Sequence, residues 1–295
     1  MKICITGANG MLGEKCATML SERYSVCASD IGDSLLYPIA IPYLQLDISD
    51  YNAMKRLIKK VNPDVIINCA AYTDVDGAEE HRESAWKVNV EGIENIVKAA
   101  EPLKSHIIHI STDYVFDGVN GPYSEEDEPK PINYYGETKL ASEKVLEEYP
   151  FNWTIIRTNI IYGNSYNQKA SFVNWVINKL QNNDKINIVN DQFGNPTWAD
   201  GLAMAINKII EKQASGIYHY GGADYLNRFE FTLKITDAYN LNNKNISKIT
   251  TRSLGQLAKR PYKAVLISEK IANELGAKLF TIQEALNAIK LKEES

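Results

Sequence analysis

Cysteine is scarce in this chain and long apolar runs are missing, and each shortage excludes a class of protein. The 295 residues contain four cysteines and no Cys-x-x-Cys pair, so neither a disulfide framework nor a thiolate metal site is predicted. No window approaches the roughly 18 apolar residues that a membrane-spanning helix needs. The net charge of −5 argues against nucleic acid or an anionic membrane as the main partner.

The remaining composition is that of a folded globular protein. Hydrophobic residues make up 44% of the chain and charged residues 23%, which is too apolar for a disordered chain. The first residues lead directly into a predicted strand, so we expect no signal peptide and a cytoplasmic location. A chain of 295 residues predicts one main domain with a smaller appendage.

Short apolar runs alternate with helical spacing through the first half of the chain. β-branched runs of this kind indicate a parallel sheet that is covered on both faces. We therefore predict an α/β fold with a doubly wound parallel sheet (Rossmann), and a ligand at the carboxyl ends of the strands. The predicted strands are residues 2–6, 25–29, 64–68, 106–111, 153–157, 186–189 and 217–220. The predicted helices are 11–22, 51–61, 86–100, 135–148, 171–180, 200–212, 229–239 and 281–290.

A glycine-rich turn joins the first predicted strand to the first predicted helix. Glycine lets the backbone approach a pyrophosphate closely, and the N-terminus of the helix offers N–H groups to it. The spacing is Gly-x-x-Gly-x-x-Gly, which differs from the standard Gly-x-Gly-x-x-Gly fingerprint. We predict that a dinucleotide contacts Gly7, Asn9, Gly10, Met11, Leu12 and Gly13.

An acidic residue follows the second predicted strand at the distance expected for a ribose contact. Asp30 lies 23 residues after Gly7, close to the roughly 20 of the dinucleotide-binding pattern. Its carboxylate would bind a 2′-hydroxyl and repel a 2′-phosphate, so NADH is favoured over NADPH. Asp47, beside Ile48, either reaches the adenine amino group or is an N-cap or loop acid.

We predict residues 1–163 to be the dinucleotide-binding domain. After Gly163 the alternation of strands and helices becomes irregular. We predict residues 164–295 to be mainly a smaller substrate-binding lobe, in which segments at about 190–240 return to the Rossmann domain.

A phenol and an ammonium lie four residues apart at Tyr135 and Lys139. This spacing places both on one face of a helix, and a nearby cation favours the phenolate. Tyr135 is therefore a candidate proton donor to a carbonyl compound that accepts hydride. Tyr134 is a rival, but on a helix it lies about 140° from Lys139, against roughly 40° for Tyr135.

Four strings place the chain beside a known family. They are residues 68–79, 111–118, 135–143 and 190–197, and the second of them is Ser-Thr-Asp-Tyr-Val-Phe-Asp-Gly. In these strings the chain resembles the dTDP-4-dehydrorhamnose reductase family within the extended short-chain dehydrogenase/reductase superfamily. Tyr-x-x-x-Lys alone marks only the superfamily, whereas the second string combined with Asp-Gln-Phe-Gly-x-Pro-Thr is far more specific.

The resemblance implies a reaction and a set of roles. The reaction is NADH- or NADPH-dependent reduction of the 4-keto group of dTDP-4-dehydro-6-deoxy-L-mannose, the last step of dTDP-L-rhamnose synthesis. Tyr135 would donate the proton. Lys139 would hold the nicotinamide ribose and keep the pKa of Tyr135 low, and Thr112 would bind the substrate carbonyl.

Further contacts follow from the resemblance. The cofactor would also lie along Asp47, Ile48, Cys69, Ala70, Ala71, Tyr72 and Asn89, and Asn89 resembles the family's helix asparagine that buttresses the sheet. A nucleotide-diphosphate sugar would contact Thr73, Asp74, Val75, Asp113, Tyr114, Gln192 and Arg260. The planar guanidinium of Arg260 suits a pyrophosphate.

A metal site is not predicted. Some members of the family carry magnesium at a carboxylate-rich dimer contact, and Glu14 falls where one ligand would be expected. The residues around Asp200 do not supply the other ligands, so magnesium has no further support. The resemblance is compatible with a homodimer.

Two alternatives remain open. One is another nucleotide-sugar enzyme on this scaffold, either an epimerase or a dehydratase. Dehydratases of this kind usually have an Asp-Glu pair after the threonine, whereas Asp113-Tyr114 follows it here. The other is a non-catalytic regulatory subunit that resembles the beta subunit of methionine adenosyltransferase.

Overall fold

A seven-stranded parallel sheet forms the centre of the protein. The computed structural model describes residues 1–167 and 171–294. The sheet consists of β1 (Lys2–Thr6), β2 (Ser25–Asp30), β3 (Tyr43–Gln45), β4 (Val65–Asn68), β5 (His106–Thr112), β6 (Trp153–Thr158) and β11 (Gly216–Tyr220). The strands lie in the order β11-β6-β5-β4-β1-β2-β3, and every neighbouring pair is parallel.

Helices cover both faces of this sheet. The helices on the two faces are α1 (Met11–Leu20), α2 (Tyr51–Val61), α5 (Gly92–Ala100), α6 (Tyr134–Glu147), α8 (Ala199–Lys212) and α11 (Glu269–Leu275). One face buries a cluster shared with α1, α8 and α11, and the other buries a cluster shared with α2, α5 and α6. The predicted doubly wound α/β sheet is confirmed.

A smaller layer follows the sixth strand. It has its own buried cluster, to which α7, α9 and α12 contribute. Its helices are α7 (Phe172–Gln181), α9 (Arg228–Tyr239), α10 (Thr251–Leu254) and α12 (Ile282–Glu294). Its short strands are β8 (Ile186–Val189), which pairs with β13 (Ile246–Ile249), and β9 (Phe193–Gly194), which pairs with β12 (Leu226–Asn227).

The chain crosses the predicted domain boundary more than once. Two short strands, β7 (Ile161–Tyr162) and β10 (Thr197–Trp198), pair with each other. From there α8 packs on α1, and β11 joins the edge of the sheet beside β6. Described segments on both sides of residue 163 build the same sheet. The division of the chain into two domains at this residue stays a prediction.

The helix predicted over residues 86–100 is divided in the structure. A π-helical turn at Lys87–Glu91 separates α4 (Arg82–Trp86) from α5, and α3 (Val75–Glu80) precedes both. Turns of this type widen a helix by one residue and are frequent at functional sites. The turn contains Asn89, whose side chain is buried. Among the described residues, no helix is long and apolar enough to cross a membrane.

Candidate active site

A cavity of about 490 Å³ opens at the carboxyl ends of the central strands. It lies where β1 and β4 are neighbours, which is the point at which the strand order reverses and doubly wound sheets bind ligands. It is lined by Gly7, Gly10, Met11, Leu12, Gly13, Cys69, Ala71, Thr73, Val75, Ile110, Ser111, Thr112, Asp113, Tyr114, Tyr135, Lys139, Thr158, Asn159, Ile160, Ile161 and Arg228.

The glycine turn forms one wall of the cavity from backbone alone. Gly7 has a φ of 70°, and a Cβ there would collide with the backbone of Ala70. A Cβ on Gly13 would collide with the carbonyl of Gly7. Gly10 is the N-cap of α1 and offers no side-chain acceptor, so the first N–H groups of the helix remain available. A close-approach cradle beside a helix N-terminus fits a dinucleotide diphosphate.

Asp30 and Asn9 brace this turn from behind. Asp30 Oδ2 accepts the backbone N–H of Asn9 at 2.9 Å. The Asn9 side chain donates to the carbonyl of Ser34 and accepts the N–H of Leu36. Neither Asp30 nor Asn9 lines the cavity, so their roles as cofactor contacts stay predictions.

The Tyr/Lys pair lies on α6, which begins beside the cavity. Asn133 caps this helix by accepting the N–H of Gly136 at 2.8 Å. Tyr135 and Lys139 both face the cavity, whereas the ring of Tyr134 packs against the Arg82 guanidinium at 4.6 Å. The structure thus brings Tyr135 to the cavity and leaves its rival outside.

Lys139 is buried and points at the sheet. Its Nζ donates to the carbonyl of Ile110 at 2.8 Å and lies 3.0 Å from Nε2 of His109. Burial lowers the pKa of Lys139 to about 8, although the charges of Glu143 and Cys69 act in the opposite direction.

The expected lowering of the Tyr135 pKa by Lys139 was wrong. Burial is the largest influence and raises the pKa of Tyr135 above its ordinary value, and the charge of Asp113 adds to the rise. A hydrogen-bonding contribution from Thr112 opposes it. The Lys139 nitrogen is turned toward His109 and Ile110. Tyr135 is consequently a neutral phenol at physiological pH.

Thr112 and Asp113 form a buried pair at the end of β5. The Thr112 hydroxyl donates to Asp113 Oδ1 at 3.0 Å and accepts the N–H of Tyr114. Asn159 donates to the other carboxylate oxygen of Asp113 at 2.6 Å. Burial raises the pKa of Asp113 to about 7. The predicted donor to the substrate carbonyl is therefore occupied by Asp113 in this arrangement, and it has to turn to reach a ligand.

The other predicted cofactor contacts divide into two groups. Cys69 and Ala71 line the cavity. Ala70 lies behind Gly7, and Ile48 is buried beneath Gly92. The remaining residues make hydrogen bonds to the backbone. The Asn89 side chain accepts the N–H of Tyr72 at 2.8 Å and donates to the Tyr72 carbonyl at 3.2 Å. The exposed Asp47 accepts the N–H of Ser49.

The predicted substrate contacts also divide. Thr73, Val75 and Tyr114 line the cavity. Asp74 caps α3 by accepting the N–H of Gly77. Gln192 lines a second cavity of about 20 Å³ that adjoins the first, and it donates to Thr251 and Gln256.

Arg260 is placed away from its predicted partner. Its guanidinium forms a two-pronged ion pair with Asp76, at 3.1 and 3.0 Å, and lies outside the residues that line the cavity. A planar fork suits a carboxylate as well as a pyrophosphate, and here it holds the carboxylate of Asp76. A role at the pyrophosphate stays a prediction that requires this ion pair to open.

The sequence interpretation missed Arg228 and Asn159, both of which line the cavity. Arg228 is the first residue of α9, directly after Asn227, which closes a capping box with Glu230. That box was a readable signal for the start of a helix, but nothing local tied the helix to the cavity. Asn159 follows β6 and has no motif around it.

The chain resembles known proteins along almost its whole length. The family model "RmlD substrate binding domain" matches residues 1–293. The chain belongs to the RmlD substrate binding domain family. A dTDP-4-dehydrorhamnose reductase of Aggregatibacter actinomycetemcomitans is 35% identical to this RmlD-family chain, over 98% of each protein.

Solved structures agree with this RmlD-family assignment. The dTDP-4-dehydrorhamnose reductase of Bacillus anthracis in complex with NADP superposes with a TM-score of 0.89 at 31% identity, covering 99% of both chains. A relative of another kind is the methionine adenosyltransferase 2 subunit beta of Bos taurus. It is 32% identical over 84% of this chain and 75% of its own length.

The acidic residues considered for a metal are engaged elsewhere. Glu14 accepts the Ser165 hydroxyl and the Tyr166 N–H and pairs with Lys15, and Asp200 pairs with Lys292. Within residues 1–167 and 171–292, no group of three His, Cys, Asp or Glu side chains could hold a metal ion.

Proposed function

We propose that this protein uses NADH or NADPH to reduce the 4-keto group of dTDP-4-dehydro-6-deoxy-L-mannose to the alcohol of dTDP-L-rhamnose. One observation carries the proposal: Tyr135, Lys139 and Thr112 meet the glycine turn in a single cavity. Hydride delivery and proton delivery to one ketone require this juxtaposition. The names of the relatives point to the same reaction.

The glycine turn and the start of α1 would hold the dinucleotide. Gly7 and Gly13 leave room for the diphosphate against the backbone, and the first N–H groups of α1 face it. When bound, the reduced nicotinamide supplies the hydride. Asp30 and Lys139 are our candidates for the two riboses.

Tyr135 would give the proton. Hydride addition to a ketone places negative charge on oxygen, and a neutral phenol beside that oxygen donates to it. The raised pKa of Tyr135 keeps the phenol protonated before the reaction. Thr112 would add a second hydrogen bond once its hydroxyl turns from Asp113, since the transition state needs donors where charge develops.

The opposite wall would hold the sugar nucleotide. Thr73, Val75 and Tyr114 line the cavity, and Arg228 brings a positive charge to it. Within the described parts of the chain, no hydrogen bond engages the Arg228 guanidinium, which packs over the Phe172 ring at 5.5 Å. A cation of this kind suits the diphosphate of the substrate.

The direct test is oxidation of NADH and NADPH by the purified protein against a panel of 4-keto deoxysugar nucleotides. We expect turnover with dTDP-4-dehydro-6-deoxy-L-mannose, and less with analogues that differ in base or sugar configuration. Loss of reduced nicotinamide absorbance, together with the product identified by mass spectrometry, measures it. Absence of turnover with every panel member would contradict the proposal.

A regulatory role is the second candidate, because relatives named methionine adenosyltransferase 2 subunit beta share about a third of the sequence. Such a role does not require Tyr135, Lys139 and Thr112 to meet in one cavity, and here they do. Turnover by the isolated chain would exclude a purely regulatory subunit. Tight binding to a methionine adenosyltransferase without turnover would favour it.

A further inference from the structure

Three residues at the same level of adjacent strands connect β1 to Lys139. Thr6 on β1 is in register with Asn68 on β4, and Asn68 is in register with His109 on β5. All three side chains are buried. The row ends at Lys139, whose nitrogen lies 3.0 Å from His109 Nε2.

Asn68 determines which nitrogen of His109 accepts. The Thr6 hydroxyl donates to Asn68 Oδ1 at 2.6 Å, so the amide nitrogen of Asn68 faces His109. That nitrogen lies 3.0 Å from His109 Nδ1. An amide nitrogen only donates, so Nδ1 is an acceptor without a proton.

The hydrogen bonds of Ser142, at the other nitrogen of the ring, indicate the same tautomer of His109. Its hydroxyl donates to the carbonyl of Lys139 at 2.6 Å, which uses its only proton. Its oxygen lies 3.0 Å from His109 Nε2 and is left as an acceptor. Nε2 therefore carries the proton of a neutral imidazole, a state that burial also favours by lowering the pKa of His109.

This tautomer has a consequence for the lysine. The single Nε2–H is shared between the Ser142 oxygen and the Lys139 nitrogen, which both lie 3.0 Å from Nε2, and an ammonium has three donors and no lone pair. A charged Lys139 would therefore place one hydrogen-bond donor against another, the Nε2–H of His109. An uncharged amine has a lone pair for the Nε2–H and still donates to the Ile110 carbonyl at 2.8 Å.

We propose that His109 is a positioning residue for Lys139: its Nε2–H favours the uncharged amine, and Lys139 takes one proton from solvent when an anionic dinucleotide enters the cleft. The first part stands on hydrogen-bond geometry alone. The second part rests on the proposed function, since it needs a dinucleotide to bind.

The other groups around Lys139 do not reverse this. Cys69 at the end of β4 and Glu143 on α6 raise the pKa of Lys139, but burial outweighs both. The carboxylate of Glu143 is already paired with Arg157 at 2.7 Å. Tyr135, on the same helix as Lys139, stays a neutral phenol. A bound dinucleotide brings negative charge and ribose hydroxyls, which favour the ammonium.

The tautomer is tested on the unmodified protein. The chain has four histidines, so the ring nitrogens are resolvable by ¹⁵N NMR, and His109→Gln assigns the signals of this ring by their loss. We expect a protonated Nε2 and a bare Nδ1 for His109. A protonated Nδ1 would overturn the inference even if the enzyme is active.

Proton uptake is tested by calorimetry of NADH and NADPH binding in buffers of different ionisation enthalpy. With the pKa of Lys139 at about 8, roughly nine-tenths of the free protein carries the amine near pH ~9, so uptake approaches about one proton per dinucleotide. Near pH ~6.5 it falls below about 0.1.

His109→Gln offers an amide oxygen that accepts from the ammonium, so the alkaline uptake should fall to less than about a third of the wild-type value. His106→Gln is the matched control, because His106 is buried on the same strand but is hydrogen-bonded to Thr154. It should leave the uptake unchanged. Equal uptake in wild type and His109→Gln, or none in wild type near pH ~9, would overturn the inference. If neither dinucleotide binds, the proposed function fails and the ring spectrum alone decides the tautomer.

Discussion

The two walls of the cleft differ in whether backbone or side-chain atoms form them. The wall at the glycine turn is backbone, where Gly7, Gly13 and the first turn of α1 leave room and N–H groups for a ligand. The opposite wall is side chains, among them Thr112, Tyr135 and Arg228, from three separate segments. Spacing within one short stretch specifies the first wall, whereas only the complete fold assembles the second.

Loss of the phenol should cause the largest change, and it should separate the two walls. Tyr135→Phe should lower kcat by ~10²–10⁴ while dinucleotide binding stays within about twofold, because only proton delivery is removed. Steady-state kinetics and calorimetry measure the two quantities.

Tyr134→Phe is the matched control, since that ring packs on Arg82 outside the cavity and its hydroxyl has no part in the proposed chemistry. Its kcat should be that of the wild type. Normal turnover in Tyr135→Phe, or equal losses in both variants, would remove Tyr135 as the proton donor.

This contrast also explains what could be predicted from sequence. The strands, the glycine turn and the Tyr135–Lys139 pair follow local rules of period and spacing, and the structure brings the turn and the pair to one cavity. Arg228 could not be placed at the cavity from sequence, because β12 and α9 reach the cavity only through contacts made by the later part of the sequence. The pKa of Tyr135 was predicted in the wrong direction, because spacing along a helix shows neither where the Lys139 nitrogen points nor how deeply Tyr135 is buried.

Filling the backbone wall should have the next largest effect. In Gly13→Ala the new methyl group meets the Gly7 carbonyl and the Ala8 Cα, so the turn must shift. We expect a loss of about 1–3 kcal/mol in the free energy of unfolding, and dinucleotide binding weakened by a similar amount. Urea unfolding and calorimetry measure these quantities.

Gly10→Ala is the control for this wall. Its Cβ would meet only the Gly7 carbonyl, at 3.2 Å, and the backbone at Gly10 already has dihedral angles that alanine adopts. Its loss in the free energy of unfolding should be less than half of that in Gly13→Ala. If Gly10→Ala is the more damaging of the two, close packing of Gly13 does not define the cradle.

The charge on the opposite wall should matter less than the phenol. Arg228→Gln should raise KM for the sugar nucleotide about tenfold and leave kcat and dinucleotide binding nearly unchanged, because a charge-assisted contact to a diphosphate is lost. Arg23→Gln, which removes an exposed ion pair with Glu211, should change none of these values. An unchanged KM in Arg228→Gln would place the substrate diphosphate elsewhere.

Cofactor preference should respond least, although it concerns the residue singled out by the dinucleotide pattern. Asp30→Ala should raise the ratio of kcat/KM for NADPH over NADH by about fivefold, since one repulsion of about 1 kcal/mol toward a 2′-phosphate disappears. The effect is small because the carboxylate already accepts the N–H of Asn9, which offsets part of its charge. Asp47→Ala, at an exposed carboxylate that accepts the N–H of Ser49, should leave the ratio unchanged. A ratio unaffected in Asp30→Ala would mean that Asp30 braces the glycine turn without meeting the ribose.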